Sequence, residues 1–427
     1  MSGINRLVIG LLAFGAFLYG GTQPVHAQDN TAKDHAKRII ELLQQQKFDD
    51  VAKEFNAQVA AAMSTQQLSA VWTGLRAQAG DWKSIIDQQA MSQAGNMMVI
   101  TGCEFEKTSL NVVLAFDADQ KIAGLRLLPR TAVVAAASVP PVSARFREVA
   151  VTVGSGDWKL PGTLTLPLEG SKLPGVVLVH GSGPNDRDET IGPNKVFRDL
   201  AWGLADLGIA VLRYEKRTRQ YGAQMAALAN MTVREETVDD ALAAVQTLRA
   251  QDRVDGVRVF VLGHSLGGML APRIASADPS IAGLIIMAGN TRPLEELIVE
   301  QTTYLASLSP NAPAPKDPVA DLKKAAPESY WKDLAAYKPA AAAARLKTPM
   351  LILQGERDYQ VTMVDLKGWR EALQSHANVQ IKSYPYLNHL FMTGTGKSTP
   401  SEYMKAGKVS QTPIDDVAAW INKAGRR

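Results

Sequence analysis

The sequence predicts an α/β fold: a mostly parallel central sheet with helices on both faces and a helical insertion, preceded by a small α+β domain. Three observations carry this expectation. From residue 175 onward, short continuous Val/Ile/Leu runs alternate with helical stretches, and strands that are apolar throughout belong to a parallel sheet covered on both faces. Residues 31–129 instead place helices first and strands after them, the order of a separate α+β domain. Between the two lies a stretch rich in Ala, Val and Pro, residues 130–147, centred on Pro140-Pro141, which reads as a linker.

Taken in chain order, residues 1–27 carry the pattern of a cleavable signal peptide. Arg6 supplies the positive start, Leu7 to Tyr19 the apolar stretch, and Val25-His26-Ala27 the small residues at the cut. The apolar run falls short of the ~20 residues a membrane-spanning helix needs. A cleaved leader is therefore expected rather than an uncleaved anchor, with a secreted or periplasmic chain starting near Gln28 and no stable membrane insertion. Cys103 is the only cysteine, so no intrachain disulfide and no cysteine-based metal site is possible. An exported chain without disulfides depends on its core for stability. Ile39, Ile40, Leu42, Leu43 and Phe48 recur at helical spacing, as do Val51, Phe55, Val59 and Met63, and 66–79 reads as a further helix. Strand-like runs follow at 97–105, 109–116 and 122–128, the last two joined by the polar turn Asp117 to Lys121. This order of elements resembles the cone-shaped nuclear-transport-factor-like fold. The domain contains no catalytic constellation, and its expected role is structural or partner-binding, with a ligand-holding cone as the sharper alternative.

After the linker, 148–153 and 158–166 flank Gly154-Ser155-Gly156-Asp157 as a hairpin, the antiparallel start of a mixed sheet. Parallel strands are expected at 176–179, 209–212, 257–262, 284–287, 350–353 and 379–384, with helices at 196–207, 238–251, 268–276, 364–375 and 414–423. Residues 291–346 interrupt this rhythm with short helical pieces, prolines at 310, 313, 315 and 318, and an alanine run at 340–344. Their position fits a cap over the sheet's carboxyl edge; a plain surface insertion is the alternative. Tyr304, Tyr330, Trp331 and Tyr337 are either pocket-lining or the packing surface of its helices. The 46 Lys and Arg against 42 Asp and Glu leave a formal charge of +4, too small to demand nucleic acid. The local run Lys216-Arg217-Thr218-Arg219 reads as a solvated loop.

The chemistry-bearing motif is Gly263-His264-Ser265-Leu266-Gly267, set between the 257–262 strand and a helix start. A sharp strand-to-helix turn with Ser265 at its apex requires glycine on both sides, because side chains there would collide. The serine hydroxyl then stands exposed while the new helix points its first N–H groups toward any anion formed beside it. Such a nucleophile needs an acid and a base, and the elbow's resemblance to that of α/β-hydrolases implies the chain order Ser, then Asp or Glu, then His. Asp358 lies in Gly355-Glu356-Arg357-Asp358, just past the 350–353 strand, with Glu356 as its competitor. Of six histidines, His389 alone follows the final strand directly; His35 lies in the first domain and His376 near a helix end. His264 is expected to pack beside the serine rather than take its proton. Oxyanion donors are expected from the backbone N–H of Leu266 and from the loop His180-Gly181-Ser182-Gly183-Pro184, with Ser182 first and Gly183 second. His180 reads as a turn-holding residue, and Asp186-Arg187-Asp188 as charges that hold the loop or, alternatively, touch substrate.

Together these pieces make residues 148–427 resemble an exported serine esterase of the α/β-hydrolase superfamily, with 31–129 similar to the domain that precedes the hydrolase in some exported bacterial esterases. The resemblance implies the α/β-hydrolase fold with a cap insertion at 291–346. It also implies cleavage of small-molecule carboxylic esters through an acyl-enzyme on a Ser265–His389–Asp358 triad, without metal or organic cofactor. Peptidase, acyltransferase and thioesterase chemistry share this triad, and a non-catalytic binding scaffold is the alternative of another class. Oligomeric state is not readable from the sequence.

Overall fold

The computed structural model describes residues 25–93, 96–129, 145–308, 317–324 and 326–424. The expected leader, residues 1–27, lies outside them except for Val25–Ala27, as do 130–144 of the linker and the prolines at 310, 313 and 315. The chain divides into two compact units: Met1–Val133 with Leu308–Ala325, and Val134–Ser307 with Ala326–Arg427. The middle of the 291–346 insertion is thus grouped with the first unit and its two ends with the second.

In the first unit, helices at Val25–Gln44, Phe48–Lys53, Ala57–Ala62 and Thr65–Ala79 precede four antiparallel strands in the order β1 (Trp82–Gln93), β2 (Asn96–Phe105), β3 (Ser109–Phe116) and β4 (Ile122–Pro129). Ser64 starts the last helix with a capping box: its hydroxyl accepts from Gln67 N–H, and the Gln67 side chain accepts from Ser64 N–H at 2.9 Å. One core of Ile39, Ile40, Val51, Leu68, Trp72, Val112 and Phe116 joins helices to sheet. The α+β character expected from the sequence holds, with one strand more than expected. β1 escapes sequence patterning because its run is mostly polar; it is a sheet edge on which no described side chain is fully buried.

The second unit is built on eight strands: β5 (Phe146–Val153), β6 (Leu160–Pro167), β7 (Leu173–Val179), β10 (Ala210–Tyr214), β11 (Val254–His264), β12 (Leu284–Met287), β13 (Met350–Gly355) and β14 (Val379–Tyr384). A two-stranded ribbon, β8 (Thr190–Ile191) with β9 (Asn194–Lys195), stands apart from them. The sheet order is β14-β13-β12-β11-β7-β10-β6-β5; β6 pairs antiparallel with both β10 and β5, and all other neighbours pair parallel. Alternate residues face opposite ways, and both faces are covered. Val177, Val179, Val259, Val261, Leu284 and Ile286 pack under helices Asp239–Arg249, Leu266–Ala277 and Met363–Leu373. Val176, Leu178, Phe260, Leu262, Ile285 and Met287 pack under helices Val196–Asp206 and Gln411–Ala424. This two-sided burial explains why these strands read as unbroken apolar runs; each fully buried Val, Leu, Ile or Phe contributes roughly 1.5–3 kcal/mol. The carboxyl ends of β7, β11, β13 and β14 lead into the loops at 180, 265, 358 and 389. The fold is therefore the α/β-hydrolase fold, and it gathers the four predicted segments at one sheet edge. Among the described residues, no helix is long and apolar enough to cross a membrane.

Candidate active site

Ser265 sits between β11 and the helix Leu266–Ala277 with φ 54° and ψ −118°, a conformation that costs a non-glycine residue on the order of 1–3 kcal/mol. Its N–H donates to the Met287 carbonyl at 2.9 Å, which ties the turn to β12. A Cβ on Gly263 would run into Gly267, and one on Gly267 into the Val179 carbonyl. The glycines are thus fixed by the closeness of neighbouring backbone. Leu266 is the first helical residue, so its N–H has no intrahelical acceptor.

His389 and Asp358 are both buried, and His389 Nδ1 lies 2.6 Å from Asp358 Oδ2. Facing a carboxylate, Nδ1 carries the proton, which leaves Nε2 as the basic nitrogen. The carboxylate is held by further donors: Gln360 N–H at 2.7 Å and Val361 N–H at 3.1 Å to Oδ1, and Gln354 Nε2 at 3.3 Å to Oδ2. The turn that carries His389 is shaped by Asn388, whose Oδ1 accepts from Leu390 N–H and Met392 N–H at 3.0 and 3.1 Å. Arg357 donates to the Thr395 and Gly396 carbonyls at 3.0 and 2.5 Å, bracing the chain just beyond. The competing groups lie elsewhere. Glu356 is exposed and accepts from the Ser383 hydroxyl at 2.7 Å. His376 Nε2 donates to the Ala344 carbonyl at 2.8 Å, and His35 stacks on Phe116 in the first unit.

The loop after β7 is fixed from several sides. His180 is buried against Phe197 and Tyr214 and donates from Nε2 to the Asp186 carbonyl at 3.1 Å. Burial pushes its pKa down to about 4, so the ring is neutral. Ser182 is exposed and Gly183 has φ +89°. Within Asp186-Arg187-Asp188, every charge is spent inside the protein. Asp186 accepts from Thr190, Arg187 pairs with Glu215 at 2.6 Å, and Asp188 pairs with Lys195 and Arg213 at 2.9 and 3.1 Å.

Sequence reasoning missed two features. The first is a buried pair behind the elbow: His264 Nδ1 lies 2.9 Å from Glu189 Oε2, somewhat off the ideal hydrogen-bond direction. His264 Nε2 donates to the His389 carbonyl at 2.9 Å, and Glu189 Oε1 accepts from Gly181 N–H at 2.7 Å. Burial works against charge on both groups, but each other's charge prevails: the His264 pKa is raised and that of Glu189 lowered. The second is a correction. Lys216 and Arg217, expected in a solvated loop, are buried. Lys216 Nζ lies 2.8 Å from Glu236 and Arg217 pairs with Asp240, so partners on a distant helix draw the basic run inward. Each of the four aromatics of the insertion makes a hydrogen bond within the protein. Tyr330 donates to Glu236, Trp331 to the Ala326 carbonyl, Tyr337 to the Met269 carbonyl and Tyr304 to the Ser398 carbonyl. An open hollow of about 530 Å³ beside the Asp358 loop is lined by Glu300, Thr362, Val364 and Lys397 among others, but by neither Ser265 nor His389.

A sheet edge bearing an ordered Ser, Asp and His defines the class, a hydrolase of the α/β type, and comparison with known proteins places the chain within it. Residues 36–125 match a family described as a protein of unknown function, DUF3887, and residues 197–406 match the prolyl oligopeptidase family. Esterase EstD of Thermotoga maritima is 38% identical across 98% of this chain and 98% of its own. Among solved structures, Est1E from Butyrivibrio proteoclasticus is 17% identical over 65% of this chain and 99% of its own, with a TM-score of 0.45. The Pyrobaculum calidifontis esterase is 19% identical over 66% of this chain and 87% of its own, with a TM-score of 0.46. The chain belongs to the esterase family of the Thermotoga protein, and it is a hydrolytic enzyme.

Proposed function

We propose that the protein is a carboxylesterase working through an acyl-enzyme on Ser265, His389 and Asp358. His389 Nε2 takes the Ser265 proton as Oγ attacks the ester carbonyl, and Asp358 holds the imidazole in register and stabilises its charged form. The backbone N–H groups of Leu266 and Ser182 receive the oxyanion, with Gly183 as the alternative to Ser182. His389 then protonates the leaving alcohol, and water repeats the cycle to free the acid. The reading is supported above all by the 2.6 Å contact between His389 Nδ1 and Asp358 Oδ2, at the same sheet edge as the strained Ser265 turn. The 38% identity to a named esterase favours an ester as substrate. The prolyl oligopeptidase match over 197–406 supports amide cleavage as a second reading. Ser265→Ala lowers hydrolysis of p-nitrophenyl acetate or butyrate by at least about 10³-fold with the fold intact, and a fluorophosphonate probe labels the unsubstituted enzyme on Ser265. Full activity in the variant overturns the assignment. Aminoacyl p-nitroanilides run beside the esters decide between the two bond types. Residues 1–27 support export, tested by whether the N-terminus of protein recovered from the source cell starts near Gln28.

A further inference from the structure

Lys216 is an ammonium two residues past the end of β10, only 2% exposed. It donates to the Gly181 carbonyl at 2.8 Å and lies 2.8 Å from Glu236. Glu236 is carried by a π-helical turn, Arg234–Val238, and accepts from the Tyr330 hydroxyl at 2.8 Å. Burying this charge is costly, and a buried ion pair in place of an apolar contact rarely adds stability. The position of the ammonium therefore calls for another explanation, and the explanation lies in the group it holds.

The Gly181 carbonyl and the Ser182 N–H belong to one trans peptide, so they point in opposite directions. Pinning the carbonyl fixes where the N–H aims. A cation on the carbonyl oxygen also draws electron density from the amide nitrogen and makes its N–H a stronger donor. The peptide sits at the elbow: a Cβ on Gly181 would come 3.1 Å from Ser265 Cβ. Two more contacts restrain it, Asn185 Nδ2 to the Gly181 carbonyl at 3.1 Å and Gly181 N–H to Glu189 at 2.7 Å. We infer that Lys216 is a positioning residue for the oxyanion hole, orienting and polarising the Ser182 N–H through the Gly181 carbonyl, with Glu236 as the anchor of its ammonium. The inference rests on the triad reading above and adds to it the residue that prepares one of its two donors.

The test measures esterase kinetics together with inhibition by an alkyl trifluoromethyl ketone, which forms a tetrahedral oxyanion on the nucleophilic serine. In Lys216→Met, kcat falls by about 10- to 100-fold while KM stays within about threefold, and ketone affinity falls by the same factor as kcat/KM. A role confined to packing lowers thermal stability without this proportionality. Glu236 left unpaired is liable to unfold the single variant, so Lys216→Met/Glu236→Gln removes both charges together and retains an acceptor for Tyr330. The same split between kcat and KM is expected there. Wild-type kcat/KM and ketone affinity in a folded variant overturn the inference. Fluorophosphonate labelling of the unsubstituted enzyme separates the two readings. A labelled Ser265 beside a fully active variant removes the role of Lys216 alone, whereas an unlabelled wild type removes the triad on which it stands.

Discussion

Each histidine around Ser265 is given a different state by its immediate neighbours. His389 faces a carboxylate, His264 lies between Glu189 and a carbonyl, and His180 is walled by Phe197 and Tyr214. His180 has a consequence for acid stability. Burial holds its folded pKa near 4 against an ordinary 6.5, so between those values the unfolded chain takes up a proton that the folded chain refuses. Stability is lost as pH falls through that window, and the loss is complete below about 4, amounting to about 3 kcal/mol. In urea denaturation at pH 7 and pH 4.5, the wild type loses more stability than His180→Asn, whose amide does not titrate. Equal losses in the two proteins refute the assignment. At this scale the sequence was legible in placing Ser265, Asp358 and His389 in loops at one sheet edge, with Asp358 and His389 in contact. It was silent on Glu189 and placed Lys216 wrongly in a solvated loop, because their partners, His264 and Glu236, lie 75 and 20 positions away.

Among elements, β11 shows how burial rather than composition sets the energetic weight of a residue. Phe260 is fully buried against Trp420, while Val257, three positions earlier on the same strand, is 79% exposed. Phe260→Ala therefore costs about 3–5 kcal/mol and Val257→Ala less than about 0.5, read as the shift of the urea midpoint. Similar midpoints for the two variants contradict the two-faced sheet. Strands covered on both faces were legible, and β12 has the limits its apolar run predicted, as does the edge strand β14. β1 was not, since its run Trp82–Gln93 is mostly polar and shows no apolar alternation. The β8–β9 ribbon has two residues per strand, too few for any period to register. The π-helical turn that carries Glu236 has no signature of its own in composition.

At the scale of the whole molecule, the described residues form separate cores in the two units, with no buried residue among them common to both. Heat unfolding is expected in two transitions rather than one; a single calorimetric peak whose enthalpy equals the van't Hoff value rules this out. The division into a first α+β unit and a larger α/β unit was legible because helices precede strands over 31–129, whereas apolar runs alternate with helices from residue 175. The grouping of 308–325 with the first unit was not, since it joins segments far apart in sequence. Cys103 gives the first unit a reporter of its own. Its thiol is fully buried on β2, with Sγ donating to the Thr101 carbonyl at 3.5 Å, and there is no second sulfhydryl in the chain. The seven tryptophans are spread over both units and blend their signals. An aromatic disulfide reagent instead meets its target only when that strand opens, so the rate of chromophore release clocks the breathing of one unit without an engineered label.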